Sequence, residues 1–165
     1  MRVRWVLLFL WFLGVPVLAQ ASLAPTVPLD QRQEQTLRRA IRIGQTLHLG
    51  LHLAAIVWQE SSLGLFPDSP GHYGVGSCSW FVYHHVTVRH PWLQRYFHGK
   101  NWATVLVRNP TVALWVAGYW LTHCRRLSPN WPSAYGMYRY GHPTTVGAYP
   151  QRVIHRLQEV SYFVR

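Results

Sequence analysis

Acidic side chains are scarce in this chain. Five carboxylates (Asp30, Glu34, Glu60, Asp68 and Glu159) stand against 16 Lys and Arg in 165 residues. An oxygen-lined calcium or magnesium cage needs several carboxylates at close quarters, and the inventory is too small for one. A glycosidase that works with two carboxylates across the scissile bond has very few pairs to draw on. Acid chemistry must therefore run through one of five side chains. Cysteine is rarer still, with Cys78 and Cys124 alone. No Cys-x-x-Cys occurs, which argues against dithiol redox catalysis. Internal repeats, low-complexity tracts, dense basic blocks and nucleic-acid-binding signatures are also missing, so nothing directs the chain to nucleic acid.

What is present suits one folded domain. Hydrophobic residues make up 49% of the chain and charged residues 13%, enough to bury a core and too apolar for disorder. The formal charge is +11, and nine Trp with nine Tyr form an unusually aromatic inventory. Such a chain suits work against anionic polymers, or grooves in which aromatic rings stack on a ligand.

Residues 1–21 have the pattern of a secretory signal peptide. Arg2 and Arg4 start it, Trp5 to Leu13 is an apolar run, Gly14 and Pro16 break the run, and Ala19-Gln20-Ala21 is a small-x-small cleavage site. The apolar run is shorter than the ~20 residues that span a bilayer, which favours cleavage after Ala21 over an uncleaved anchor, the lesser alternative. The expectation is an exported protein, periplasmic or associated with the cell envelope, that meets the membrane only through this segment. Losing Arg2 and Arg4 leaves 14 basic and five acidic residues, a net +9. In an oxidising compartment Cys78 and Cys124 suit a disulfide, and two buried thiols are the equal alternative.

Residues 22–29 are a Pro-containing flexible lead-in, and the domain proper is 30–165. Asp30 and Gln33 form a capping box. Leu37, Ile41, Gly44, Leu51, Ala55 and Trp58 then recur at helical spacing as far as Glu60, with Gly44 a possible break. A Gly/Pro-rich irregular region runs from Gly64 to Gly76. Ser79 to Val88 fits a buried helix or a strand, and Trp92 to Phe97 a helical turn. Asn109-Pro110 opens a helix whose inner face carries Val112, Val116, Tyr119, Trp120 and His123. Ser128 to Pro132 reads as a loop before a short turn at Ala134-Tyr135. Gly141 to Pro150 reads as irregular, and Val153, Ile154, Leu157 and Val160 mark a closing helix. The fold class expected is mainly α: one helical domain with Gly-rich loops on one side.

Five short segments carry a resemblance. Trp58-Gln59-Glu60-Ser61-Ser62-Leu63-Gly64 resembles the Glu-Ser motif that ends the catalytic helix of lytic transglycosylases with a lysozyme-like (α+β) fold. Gly71-His72-Tyr73-Gly74-Val75-Gly76-Ser77 resembles that family's Gly-x-x-Gly-Leu-Met-Gln. Asn109-Pro110 is similar to the start of its third motif, with Ala117 and Trp120 in place of its Gly and Tyr and Leu121 matching. Ser133-Ala134-Tyr135-Gly136 resembles its Ala-Ala-Tyr-Asn-Ala-Gly, and Tyr149 with Val153 its final Tyr-x-x-x-Val. Ser77 stands where the family usually has Gln, and Gly136 where it usually has Asn.

The resemblance implies non-hydrolytic cleavage of the β-1,4 bond between N-acetylmuramic acid and N-acetylglucosamine in peptidoglycan, with Glu60 as the single acid/base. It implies supporting roles for Tyr135, holding the Glu60 carboxyl, and for Ser61 and Ser77 near substrate. The backbone at Gly74 and Gly76 would let a sugar approach, and Tyr149 would be mainly structural. No cofactor is implied. The partners are glycan strands and, for such small enzymes, an envelope-spanning secretion or conjugation machine. Alternatives are a silent wall-binding scaffold, suggested by Ser77 and Gly136, and a water-using muramidase with Asp68 as second carboxylate, although Pro67-Asp68-Ser69-Pro70 is turn chemistry.

Independently of any family, a general acid must hold a proton near neutral pH. Burial among apolar and aromatic groups favours an uncharged carboxyl, and the carboxyl end of a helix, where Glu60 falls, disfavours negative charge. Ten histidines invite a metal, and His48 with His52, or His84-His85 with His90, are the groupings to weigh. Neither comes with a His-Glu-x-x-His or Cys/His pattern, so no metal is expected.

Overall fold

The computed structural model describes residues 28–164. The signal segment expected at 1–21 and all but the end of the lead-in expected at 22–29 lie outside the described residues. The chain is mainly helical. Among the described residues eight α-helices and a two-stranded hairpin follow in order: α1 (Gln31–Thr46), α2 (His52–Ser61), β1 (Asp68–Ser69), β2 (His72–Tyr73), α3 (Trp80–Arg89), α4 (Gln94–Phe97), α5 (Trp102–Arg108), α6 (Pro110–Arg126), α7 (Trp131–Tyr140) and α8 (Ala148–Phe163). A 3₁₀ turn, Pro91–Leu93, precedes α4.

Local signals start several helices as the sequence indicates. The Asp30 carboxylate accepts from the Gln33 amide at 2.7 Å, and the Gln33 side chain accepts from the Asp30 amide at 3.0 Å. Gln33 also reaches across to donate to the Ser62 carbonyl at 3.1 Å, tying the start of α1 to the end of α2. Asn109 caps α6 through Val112, and Pro110 occupies the first turn. Ser79 caps α3, which resolves the ambiguous stretch as a helix.

The first helical stripe breaks at Leu47–Leu51, later than Gly44. Gly44 lets that turn fold back closely: a Cβ there would lie 2.4 Å from the Gly50 carbonyl oxygen. The Leu49 amide donates to the Gly44 carbonyl at 2.7 Å.

α2 is the buried centre, enclosed by α1, α6 and α8. Leu53 through Trp58 are all buried, which is why its apolar residues run on without a polar face. α6 forms the other axis and touches α1, α3, α5 and α7. Ala134-Tyr135, a short turn by the sequence reading, lies inside the ten-residue helix α7, capped by Asn130 and ended by Gly141 in the left-handed region. Gly136 is therefore a packing glycine and shapes no loop. A Cβ at that position would lie 2.1 Å from the Thr144 carbonyl oxygen. The Gly/Pro-rich region folds as the hairpin, Asp68 opposite Tyr73 and Ser69 opposite His72, around Pro70 and a left-handed Gly71. Cys78 and Cys124 are free, buried thiols, which corrects the disulfide candidate.

Candidate active site

α2 delivers Glu60 one residue before the helix ends. The chain then turns sharply through Ser62 and Leu63, both in the left-handed region at φ 49° and 61°. Two consecutive non-glycine residues of that kind store strain that the surroundings must hold. The Glu60 side chain is 5% exposed. Its Oε1 accepts a short hydrogen bond from the Tyr149 hydroxyl, and the Arg139 Nη1 lies 3.6 Å from its Oε2. A buried carboxylate without partners would be strongly destabilising, and these two groups are its partners. The Arg139 side chain is 45% exposed, so it reaches in from the rim.

Glu60 lines a cleft of about 130 Å³ together with His72, Ser77, Phe81, Trp120, Tyr138 and Arg139. The loop 74–77 brings Ser77 to the wall of this cleft and is closed at its base by paired backbone bonds between Tyr73 and Cys78 at 3.0 and 2.9 Å. Tyr138 donates to the Gly76 carbonyl at 2.7 Å. Burial, and after it the neighbouring Glu60 charge, pushes the Tyr149 hydroxyl well above the ordinary tyrosine range. Burial does the same to Tyr138. Both remain proton donors at any physiological pH. Cys78 is also in the lining, but burial pushes its thiol up to about 12, which leaves no thiolate to act as a nucleophile.

The residues singled out from sequence separate into two groups. Glu60, Ser77 and Tyr149 come together. Ser77 lines the cleft with its backbone at φ 52°. Tyr149, read as mainly structural, is the tyrosine that contacts Glu60. Tyr135 does not contact Glu60. Its hydroxyl pairs with His52 Nδ1 at 2.5 Å, at the opposite end of α2, about 12 Å along the helix axis from Glu60.

Ser61 braces and does not face a ligand. It is 2% exposed, its Oγ lies 2.8 Å from the Val75 carbonyl and accepts from the Gly64 amide at 2.9 Å. Gly74 and Gly76 do not open the loop to a ligand either. Both are buried against α6, where a Cβ would lie 2.9 Å from the Ala113 Cβ and 2.4 Å from the Ala117 Cβ respectively. Asp68 is exposed in β1 and absent from the Glu60 cleft.

Sequence reading missed Tyr138, Arg139, Phe81 and Trp120 as cleft residues. One signal was available for the first pair, because Tyr138 and Gly141 carry a Tyr-x-x-Gly spacing three residues beyond Tyr135. Among the described residues no group of three or more His, Cys, Asp or Glu is placed to hold a metal. Comparison with protein-family models, curated proteins and solved structures gives no match for this chain.

Proposed function

We propose that the protein is an exported peptidoglycan lytic transglycosylase of lysozyme-like fold, with Glu60 as its acid/base. One observation carries the proposal. Segments far apart in sequence (the end of α2, the Gly74–Ser77 loop, the end of α7 and the start of α8) converge on a single carboxylate, in the order that the resemblance to that family implies. The fourth of those motifs is better placed at Tyr138-Arg139-Tyr140-Gly141, which keeps the family's Tyr and Gly three apart and puts Arg139 at the Asn position.

In this scheme a glycan strand lies across the cleft and moves the half-exposed Arg139 aside. Glu60 protonates the departing glycosidic oxygen. The acetamido group of the muramic acid supports the anomeric carbon, which replaces a second carboxylate. Glu60 then takes the proton of the same sugar's 6-hydroxyl as that oxygen closes the 1,6-anhydro ring. Tyr149 holds the carboxyl in place throughout, and Phe81 and Trp120 supply apolar faces for the sugar. Ser77, with its short side chain, offers fewer hydrogen bonds than the family's Gln.

A second reading is favoured by the Arg139 contact. If that guanidinium stays in place, the carboxylate remains ion-paired and the fold serves as a silent glycan-binding scaffold. Incubating the chain with purified sacculi and weighing the products separates the readings. Anhydro-muropeptides are the expected products, and Glu60→Gln is expected to abolish them while far-UV circular dichroism stays unchanged. Reducing-end sugars would mean a water-using muramidase, and intact glycan the scaffold.

A further inference from the structure

A second cleft lies between α3 and α6, next to the Glu60 site across Trp120. Its volume is about 210 Å³, and its lining includes His85 and Arg89 from α3, His90 just after that helix, and His123 and Arg126 from α6. No Asp or Glu lines it. With only five carboxylates in the chain, each can be accounted for elsewhere. Asp30 caps α1, Asp68 sits in the hairpin, and Glu34, Glu60 and Glu159 pair with Arg38, Arg139 and Arg156. The Arg89 and Arg126 guanidiniums therefore have no carboxylate beside them in this cleft, and Arg89 donates to the His85 carbonyl at 3.3 Å.

We infer that this cleft is a binding site for a doubly charged anion, a phosphomonoester group. An Arg in the last turn of a helix is commonplace, since it complements the helix dipole, and that accounts for Arg89 and Arg126 singly. It does not account for three histidines gathered between them. The His85 and His123 rings lie 4.3 Å apart, and His90 stacks on Tyr119 at 3.5 Å. The His85 Nε2 atom is buried and has no hydrogen-bond partner in the protein, although its ring belongs to the cleft lining.

The local field points the same way. All three imidazoles are pushed below the ordinary histidine value, by burial first and then by neighbouring cations, Arg89 among them in each case. Two fixed charges on separate helices, with imidazole donors between them, suit a tetrahedral dianion better than a flat monovalent carboxylate. The site is independent of what Glu60 does, although Trp120 separates the two clefts, contacting both His85 and His123 from the wall of the Glu60 site.

The test uses the full chain and follows the histidine ring protons by NMR at pH 7. Inorganic phosphate is expected to shift the His85, His90 and His123 signals saturably, and acetate at equal concentration is expected to leave them in place. Phosphatidic acid vesicles against phosphatidylcholine vesicles then show whether a lipid-borne phosphomonoester is bound as well as a soluble one. Binding by either form supports the site. Arg89→Gln with Arg126→Gln, both exposed and expected to fold, should weaken binding by about 10-fold or more, while Glu60→Gln should not change it. The proposal is overturned by no saturable shift with any phosphate form, by an equal response to acetate, or by unchanged affinity in the double variant.

Discussion

Tyr149 and Tyr135 are two buried tyrosines with opposite consequences. The Tyr149 hydroxyl holds Glu60, whereas the Tyr135 hydroxyl meets His52. Tyr149→Phe removes one hydrogen bond to a charged group, worth about 1.5–3 kcal/mol, from the carboxylate that the proposed reaction uses. Turnover of sacculi is expected to fall by about 10- to 100-fold, with a change in kcat larger than any in KM. Tyr135→Phe should lower stability and leave turnover per folded molecule unchanged. Equal loss in both variants would show that Tyr149 acts only through the fold.

The same residue scale carries a pH prediction. Burial, and after it Arg125, lowers His52 to about 4 from an ordinary 6.5. Its ring stacks on Trp131 at 3.5 Å. Between pH 6.5 and 4 the unfolded chain then holds a proton that the folded chain lacks, so stability must fall as the medium acidifies through that window. The ring is partly exposed, and solvent screening reduces the loss to on the order of 1–2 kcal/mol. Denaturant midpoints taken at steps across the window are expected to drop towards pH 4. His52→Gln should flatten the slope without abolishing it, because the lowered values of His85, His90 and His123 have the same sign.

At the scale of elements, the legible features were those written in adjacent residues. The capping box at Asp30 and the Asn-Pro start at Asn109 act over three or four positions, so a linear reading finds them. α7 was read as a turn because Pro132 and Gly136 look like breakers. In the structure Pro132 sits in the first turn, where no amide bond is lost, and Gly136 is demanded by the backbone at Thr144. Tyr135 was placed at Glu60 for a related reason. Order along the chain does not show which side of a helix faces which partner: Tyr138, three residues on, lines the Glu60 cleft, and Tyr149 of α8 makes the contact.

The glycines of the 74–77 loop make the same point, since they serve close packing on α6 and not access for a sugar. Gly76→Ala would push a methyl group to 2.4 Å from the Ala117 Cβ. The loop must then lift, at a cost of about 1–3 kcal/mol, carrying Ser77 and the Gly76–Tyr138 hydrogen bond with it. Thermal melts should show the destabilisation. Gly76→Ala with Ala117→Gly should recover part of it, because the second change removes the opposing methyl.

Across the whole molecule, the question is what holds the domain together without a crosslink. Cys78 and Cys124 are both buried and free, and burial pushes each thiol up to about 12. The load falls on apolar contacts around α2 and α6, where Leu53, Ile56, Leu114 and Leu121 are fully buried. Truncating any one of them to Ala is worth about 2–5 kcal/mol, comparable to what a disulfide would contribute. Thiolates, not thiols, enter disulfide exchange, so the native core also protects both sulfurs from oxidation. A dithiol reductant should therefore leave the melting temperature of the native protein unchanged. An aromatic disulfide reagent at pH 8 should label neither cysteine until denaturant unfolds the chain, and should then label both. A lower melting temperature in reductant, or one intact species that resists labelling even when unfolded, would show that the two sulfurs are bridged and that α6 is pinned to the Glu60 loop by a covalent bond.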